Sequence, residues 1–137
     1  MIARKRIVTI EDYNRLMDIL GPAEGKHEVQ PHVEQLLKLL RSAELVDQHE
    51  IGKNIITMNS KTLLKSLING RQAELSLTYP TDAFPIHSRI SVLSNIGVSL
   101  LGSRVGEIVT WQTPVGWGEF CVEDVLYQPE AAKEYQL

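Results

Sequence analysis

The chain has 137 residues, of which 43% are hydrophobic and 23% are charged, as in one ordinary globular domain or a small domain with a helical appendage. The formal net charge is −3, and neither half is basic, so we expect DNA contact to be indirect at most, because phosphate contacts need clustered Lys and Arg. No apolar run approaches the ~20 residues that span a bilayer, and no signal peptide is recognisable. With Cys121 as the single cysteine, these features predict a cytoplasmic protein without membrane contact. We interpret the small basic cluster of Arg4, Lys5 and Arg6 as a solvated terminus.

Residues 1–50 form the first predicted unit, a short antiparallel helical hairpin. Thr9 and Asp12 resemble a capping box in which aspartate replaces glutamate. An apolar stripe with helical spacing then predicts a helix over residues 10–20. Pro31 suits a first helical turn, and it precedes a second apolar stripe. Each stripe should bury the other, and the second consists of Val33, Leu36, Leu37, Leu40 and Ala43.

Residues 51–137 form the second predicted unit, which is rich in strands. Residues 54–58 are β-branched, and residues 73–79 alternate between apolar and polar side chains, as strands do. Asn69-Gly70 is a strong signal for a hairpin turn. A second hairpin is expected around residues 111–118, which contain Pro114, Gly116 and Gly118. Five or six antiparallel strands with one short helix predict an α+β domain.

The most informative segment is residues 89–106, R-I-S-V-L-S-N-I-G-V-S-L-L-G-S-R-V-G. Alternation over residues 89–93 predicts a strand. Ser94 is a good N-cap for the short helix that follows, and Gly102 stands where a left-handed C-cap belongs. Residues 94–97 should therefore lie at an exposed corner, where they can serve recognition as well as folding.

No motif of catalysis or cofactor binding stands out elsewhere in the chain. The histidines have neither H-x-x-x-H nor H-E-x-x-H spacing, and G-V-S-L-L-G lacks the Lys-Ser/Thr of a phosphate loop. No nucleophile and base are paired. We therefore predict no catalytic residue, no metal and no cofactor.

Four motifs in residues 54–137 carry a family resemblance. They are I-T-M-N-S at 56–60, L-x-Y-P at 77–80, S-V-L-S-x-I-G-x-x-L-L-G at 91–102 with a following W-x-x-P-x-G hairpin, and Y-Q-P-E-A-A-x-x-Y at 127–135. This pattern resembles the C-terminal domain of the bacterial transcript-cleavage factors GreA and GreB, and is closer still to a polymerase-binding relative of them. The tail motif is the most specific, because strand physics does not require it. Asn95 departs from the usual proline, and Val115 departs from the usual glycine.

The resemblance implies an FKBP-like domain over residues 51–137 and an N-terminal antiparallel coiled coil over residues 1–50. It further implies docking, as a monomer, at the rim of the secondary channel of bacterial RNA polymerase. The segment that grips the rim in this family corresponds to Ser94, Asn95, Ile96 and Gly97. Trp117 is either an aromatic anchor at the same interface or one member of a cross-strand pair.

The hairpin tip contains Glu24, His27 and Glu28. In the cleavage factors, acidic residues at the tip of a much longer coiled coil hold a catalytic magnesium ion. Here the first helix spans only ~15–20 Å at ~1.5 Å per residue, and two surface acids are ordinarily just solvated. We therefore predict a non-enzymatic regulator of transcription elongation.

Two alternatives remain open, an active transcript-cleavage factor and an FKBP-type peptidyl-prolyl isomerase, which would share the fold without sharing the function. The family branch also implies a link to nucleoside diphosphate kinase. Because no nucleotide-binding motif is present, we expect that regulation to be indirect, through gene expression.

Overall fold

The computed structural model describes residues 5–21 and 31–137, except for the side chain of residue 31. In chain order the elements are β1 (Ile7–Thr9), α1 (Ile10–Leu20), α2 (Pro31–Ser42), β2 (Glu44–Val46), β3 (Lys61–Ser66), β4 (Gln72–Thr78), β5 (Arg89–Ser91), α3 (Asn95–Leu100), β6 (Ile108–Thr113) and β7 (Gly116–Tyr127). Short 3-10 turns at Pro80–Asp82 and Pro85–His87 lie between β4 and β5. The predicted mixture of helices and strands is confirmed, and so is the first helix at its predicted bounds.

Five strands form the main sheet in the order β5-β4-β3-β7-β6. Both predicted hairpins are present, since β3 pairs antiparallel with β4 around the Asn69-Gly70 turn, and β6 pairs antiparallel with β7 around Pro114-Val115. The prediction of an entirely antiparallel sheet is wrong, because β5 runs parallel to β4. The two proline-led 3-10 turns make the connection too long for a hairpin and bring the chain back in the same direction.

The prediction of a strand over residues 54–58 is also wrong. Only Ile55 makes a strand-like contact there, an isolated bridge to Arg104. Ile56 and Met58 are nevertheless fully buried, and the backbone of Ile56 hydrogen-bonds to Ser103 and Gly102. The β-branched composition therefore reflects burial rather than sheet pairing.

A second, small sheet joins the two ends of the helical region. β1 pairs parallel with β2, with Val8 opposite Leu45, although neither strand was expected from the sequence. Both strands have only three residues, too few for alternation to stand out.

The apolar stripes of α1 and α2 belong to the same core as the main sheet and α3. Leu16, Leu36 and Leu40 are at most 1% exposed. The two stripes thus pack against the main sheet and α3 as well as against each other, because two short helices cannot exclude water by themselves. One continuous cluster contains Val8, Leu16, Leu20, Leu36, Leu37 and Leu40 together with Ile56, Met58, Leu64, Leu77, Val92, Leu100, Leu101, Val109, Trp111 and Val122.

The C-terminal tail is hydrogen-bonded to the segment that precedes β3. Gln128 Nε2 donates to the carbonyl oxygens of Gly52 and Ile55, both at 2.8 Å. Glu130 accepts a hydrogen bond from the hydroxyl of Thr57 at 2.7 Å. These contacts give the tail motif a structural role, since they satisfy backbone groups of a buried stretch that lies outside the sheet.

Asp12 is a buried acid at the junction between α1 and the β domain. As the capping-box pattern predicts, Thr9 Oγ1 accepts from the Asp12 amide at 3.0 Å. The Asp12 carboxylate, however, accepts from the amide of Met58 at 3.1 Å and from the hydroxyl of Tyr79 at 3.4 Å. Burial raises the pKa of Asp12 to about 7, and the negative charge of Glu130 adds to this effect, whereas the Met58 hydrogen bond opposes it.

This junction makes stability depend on pH in a defined direction. The pKa of Asp12 is 3.8 in an ordinary setting and about 7 in the folded protein, so folding favours the protonated acid. Its contribution to the free energy of unfolding therefore declines as pH rises from about 4 to about 7 and is constant above that. Asp12→Asn should gain stability relative to the wild type between pH 4.5 and 8, with an upper limit of roughly 4 kcal/mol at 1.36 kcal/mol per pKa unit.

Urea denaturation at both pH values measures this difference, with Asp18→Asn as the control because Asp18 is an exposed acid on the same helix. Parallel pH profiles for the wild type and Asp12→Asn would show that Asp12 is ionised throughout this range.

Candidate functional site

The predicted turn at Ser94 is present between β5 and α3, but its predicted exposure is wrong, because residues 94–96 are half-buried and Gly97 is buried. The Ser94 hydroxyl accepts a hydrogen bond from the Gly97 amide at 3.0 Å and donates one to the Ser91 carbonyl at 2.6 Å. It therefore caps α3 and ties the helix to the end of β5. Because both hydrogen-bonding functions are used within the turn, Ser94 shapes the corner rather than presenting a free hydroxyl.

Asn95 joins the start of α3 to the neighbouring strand β6. Its side-chain oxygen accepts from the Ile96 amide at 2.8 Å, and its side-chain nitrogen donates to the Gln112 carbonyl at 3.0 Å. One turn later, the Ser99 hydroxyl donates to the Thr110 carbonyl at 3.0 Å. A proline at position 95 could not donate to β6, so the departure from the family pattern adds a contact between α3 and β6.

Ile96 and Gly97 serve the interior more than the surface. Ile96 is half-buried and packs against the core cluster. Gly97 is buried where α3 crosses the end of β5, and a Cβ atom there would lie 2.1 Å from the Ser91 carbonyl oxygen. Only glycine permits this close approach. Of the four residues predicted at the corner, Ile96 and Gly97 therefore support the turn from the core side.

Trp117 is the exposed aromatic residue at this end of the sheet. Trp117 is 67% exposed and Trp111 is 7% exposed, so the two tryptophans differ in role. Trp111 stacks on Phe120 with ring centroids 4.0 Å apart and is part of the hydrophobic core. The expected cross-strand pairing of Trp117 is also present, opposite Gln112, but most of the indole remains accessible to a partner.

Asn95 and Trp117 line the same pocket of about 300 Å³. Two side chains from α2, His32 and Gln35, form another part of its wall. Neither residue was predicted to have a role, and no local signal could have indicated one, because only the tertiary fold brings α2 beside α3. Among residues 5–21 and 31–137 the lining consists of His32, Gln35, Asn95, Ser99, Thr110, Trp111, Gln112 and Trp117, and we call it the corner pocket.

Arg6 binds the C-terminal end of α3. The interpretation of Arg6 as part of a solvated terminus is therefore wrong. Its guanidinium donates to the carbonyls of Ser99 and Leu101 at 2.8 and 2.9 Å and to the Ser103 hydroxyl at 2.7 Å. Carbonyls at a helix C-terminus lack helical partners and favour a cation. Burial lowers the pKa of Arg6, and these three acceptors compensate for the burial of its guanidinium.

The predicted tip residues Glu24, His27 and Glu28 lie outside the described residues. Within residues 5–21 and 31–137, no three His, Cys, Asp or Glu side chains come together as metal ligands would. None of the helices in this part of the chain is long and apolar enough to cross a membrane.

A family of sequences and a solved structure both relate the chain to the transcription elongation factors GreA and GreB. The family described as "Transcription elongation factor, GreA/GreB, C-term" matches residues 51–127. A solved structure, the "Prokaryotic transcription elongation factor GreA/GreB from Nitrosomonas europaea", superposes with a TM-score of 0.77 at 28% identity and covers 91% of this chain and 100% of that chain. The chain therefore belongs to the GreA/GreB family.

Two curated relatives place the chain more narrowly. It is 32% identical over 108 residues to the "Regulator of nucleoside diphosphate kinase" of Escherichia coli strain K12, covering 78% of this chain and 79% of the relative. It is 33% identical over 91 residues to "Transcription elongation factor GreA" of Clostridium botulinum strain Alaska E43 / Type E3, covering 66% of this chain and 57% of that relative. The Escherichia coli protein is thus matched over a larger share of both chains.

The fit of α3 onto β5 predicts a sharp contrast between two glycines. Gly97→Ala should lower the free energy of unfolding by roughly 3 kcal/mol, the upper end of what overpacking a core costs, because backbone atoms cannot move away from the new methyl group. Gly21→Ala is the matched control, since a Cβ atom at Gly21 meets nothing within 4 Å. Urea denaturation compares them, and equal stability of the two variants would contradict the close packing at Gly97.

Proposed function

We propose that this protein regulates transcription elongation by binding bacterial RNA polymerase at the rim of its secondary channel, without cutting RNA. The corner pocket is the proposed docking surface. The observation that carries the proposal is that Asn95 and Trp117, which are 22 positions apart in the sequence, line one accessible pocket. Membership in the GreA/GreB family supports polymerase as the partner.

The chemistry of the corner pocket favours a protein partner over nucleic acid. The described residues that line it supply amides, hydroxyls, two indoles and one histidine, and none of them is Lys or Arg. Phosphate recognition depends on clustered cations. Protein interfaces instead combine an aromatic anchor with neutral hydrogen-bonding groups, as Trp117 and Asn95 do here.

The proposed absence of RNA cleavage rests on the dimensions of the hairpin. α1 has 11 residues and α2 has 12, so each spans only about 16–18 Å at 1.5 Å per residue. Their apolar stripes are buried in the common core, which holds the helices against the body of the protein. We propose that residues 51–137 supply most of the docking surface, that His32 and Gln35 of α2 complete it, and that the short helical region of residues 1–50 occludes the channel or competes for it.

We further propose that any effect on nucleoside diphosphate kinase is indirect. The name of the Escherichia coli relative states such a regulation for that protein. For this chain we propose the same outcome through altered transcription by a cytoplasmic, monomeric protein, since the sequence contains no nucleotide-binding motif.

Binding to purified core RNA polymerase, followed by biolayer interferometry, tests the docking surface. Trp117→Ser should weaken binding about tenfold or more, because exposed tryptophans that anchor interfaces contribute disproportionately. Ile86→Ser is the matched control, an 85% exposed apolar residue outside the corner pocket. Unchanged affinity for Trp117→Ser, with wild-type binding intact, would contradict docking at this corner.

A backtracked polymerase complex tests the absence of cleavage. The protein should leave the 3′ end of the RNA intact at concentrations that saturate the polymerase, whereas a GreA protein added in parallel provides the positive control. RNA shortening that Glu24→Ala abolishes would identify an active cleavage factor and contradict the proposal.

A further inference from the structure

An open cleft lies where the C-terminal half of β7 separates from the rest of the sheet. β6 pairs with β7 only as far as Cys121, and the amide of Gly106 still donates to the carbonyl of Val122. One residue earlier, the amide of Val105 donates instead to the carbonyl of Asn54, at 2.9 Å. The space that opens between these segments has a volume of about 620 Å³, a size typical of sites for small ligands.

The lining of this cleft is apolar along much of its length. Val105, Val125, Leu126, Ala131 and Ala132 contribute aliphatic side chains, and residues 53–54, 124 and 127–128 complete the lining. We call it the tail cleft, because residues 128–132 belong to the C-terminal tail. Among the described residues, none lines both the tail cleft and the corner pocket.

Gln128 contributes a buried hydrogen-bond acceptor that has no partner. Its side-chain nitrogen donates to the carbonyls of Gly52 and Ile55, which fixes the orientation of the amide. Its Oε1 atom is buried and accepts no hydrogen bond in the described part of the chain, although Gln128 is only 3% exposed. An unpaired buried acceptor costs free energy, so a ligand in the tail cleft that supplies an N–H donor would be favoured.

Lys53 and Asp124 add one charge of each sign to the lining. Both side chains are exposed, and within residues 5–21 and 31–137 neither forms a salt bridge. Oδ1 of Asp124 accepts from the amide of Val125 at 2.8 Å, which leaves its second oxygen for a cation. A ligand with an ammonium group and a carboxylate complements this pair of charges, which orients it in the cleft.

Two other kinds of occupant fit the tail cleft less well. β7 has two register shifts opposite residues 61–64 of β3, and such bulges disfavour the addition of a further strand at the edge. A nucleotide needs clustered cations for its phosphates, whereas the described lining residues include one lysine and one aspartate.

We propose that the tail cleft binds a dipeptide with apolar side chains and free termini. The central N–H of the peptide donates to Gln128 Oε1, its ammonium group pairs with Asp124 and its carboxylate pairs with Lys53. Its side chains pack against the aliphatic lining. This inference does not depend on polymerase binding, and it assigns a ligand site to a part of the protein that has no role in the proposed docking.

NMR titration of the full-length, nitrogen-15-labelled protein with leucyl-leucine tests the site. The amide signals of Asn54, Val125 and Ala132 should shift and saturate at millimolar peptide, whereas the signal of Trp117 should not move. An analogue with an ester oxygen in place of the central N–H keeps the shape and both charges but loses the donor to Gln128. We expect it to bind about fivefold more weakly.

Variants of the two charged residues test the orientation of the peptide. Lys53→Met and Asp124→Asn should each weaken binding about fivefold, the upper end of what an exposed ion pair contributes. Lys65→Met and Asp82→Asn are the matched controls, since both residues are exposed and lie outside the lining. The controls should bind like the wild type, and thermal melts check that each variant folds.

Three results would overturn the inference. The first is a wild-type protein whose signals at Asn54, Val125 and Ala132 do not shift with leucyl-leucine. The second is equal affinity for the peptide and its ester analogue, which would show that Gln128 Oε1 receives no hydrogen bond from the ligand. The third is unchanged affinity of Lys53→Met and Asp124→Asn, which would show that the free termini are not recognised.

Discussion

The apolar stripes of α1 and α2 are buried in the same core as the main sheet, and this shared burial determines how the helices and the sheet fit together. Leu16 and Leu36 are completely buried, as are Leu77 and Leu100 from the strand-rich part of the chain, and all four belong to one cluster. Two helices of 11 and 12 residues could not form such a core by themselves. Their apolar faces are therefore committed to the body of the protein, and the helical region does not extend as a free arm along its described length.

The same core holds α3 in place, and α3 in turn shapes the proposed docking surface. Ser94 caps its beginning, Gly97 permits its close approach to β5, and Arg6 satisfies the carbonyls at its end. A six-residue helix would not be stable in isolation. Because α3 is held at both ends, Asn95 already lies beside Trp117 in the free protein. A surface that is ordered before binding loses less conformational entropy when the complex forms.

Local signals in the sequence predicted the elements that depend on interactions between residues close together in the chain. The period of the first stripe predicted α1, Asn69-Gly70 predicted its hairpin, and Ser94 predicted the start of α3. Each of these depends on neighbours within a few residues. The exposure of Trp117 was left open, because a strand pattern alone does not show which side of a sheet end remains uncovered.

Long-range contacts decided what the sequence could not show. Arg6 reaches carbonyls more than 90 positions away, and Asp12 bonds to an amide 46 positions away, so neither role has a local signature. Residues 54–58 have the composition of a strand, yet the tail and the residues that follow α3 satisfy much of their backbone instead. The position of His32 in the corner pocket also depends on a long-range contact, the packing of α2 beside α3.

If the end of the sheet that carries Trp117 faces the polymerase, position-specific photo-cross-linking should detect the contact there. A benzophenone side chain would replace Val115, which is 97% exposed at that end, or Ile86, which is 85% exposed in the loop before β5. We predict that the probe at position 115 cross-links to a polymerase subunit on irradiation of the complex and that the probe at position 86 does not. Cross-linking from position 86 alone would contradict docking through the Trp117 end, because another face of the protein would then contact the polymerase.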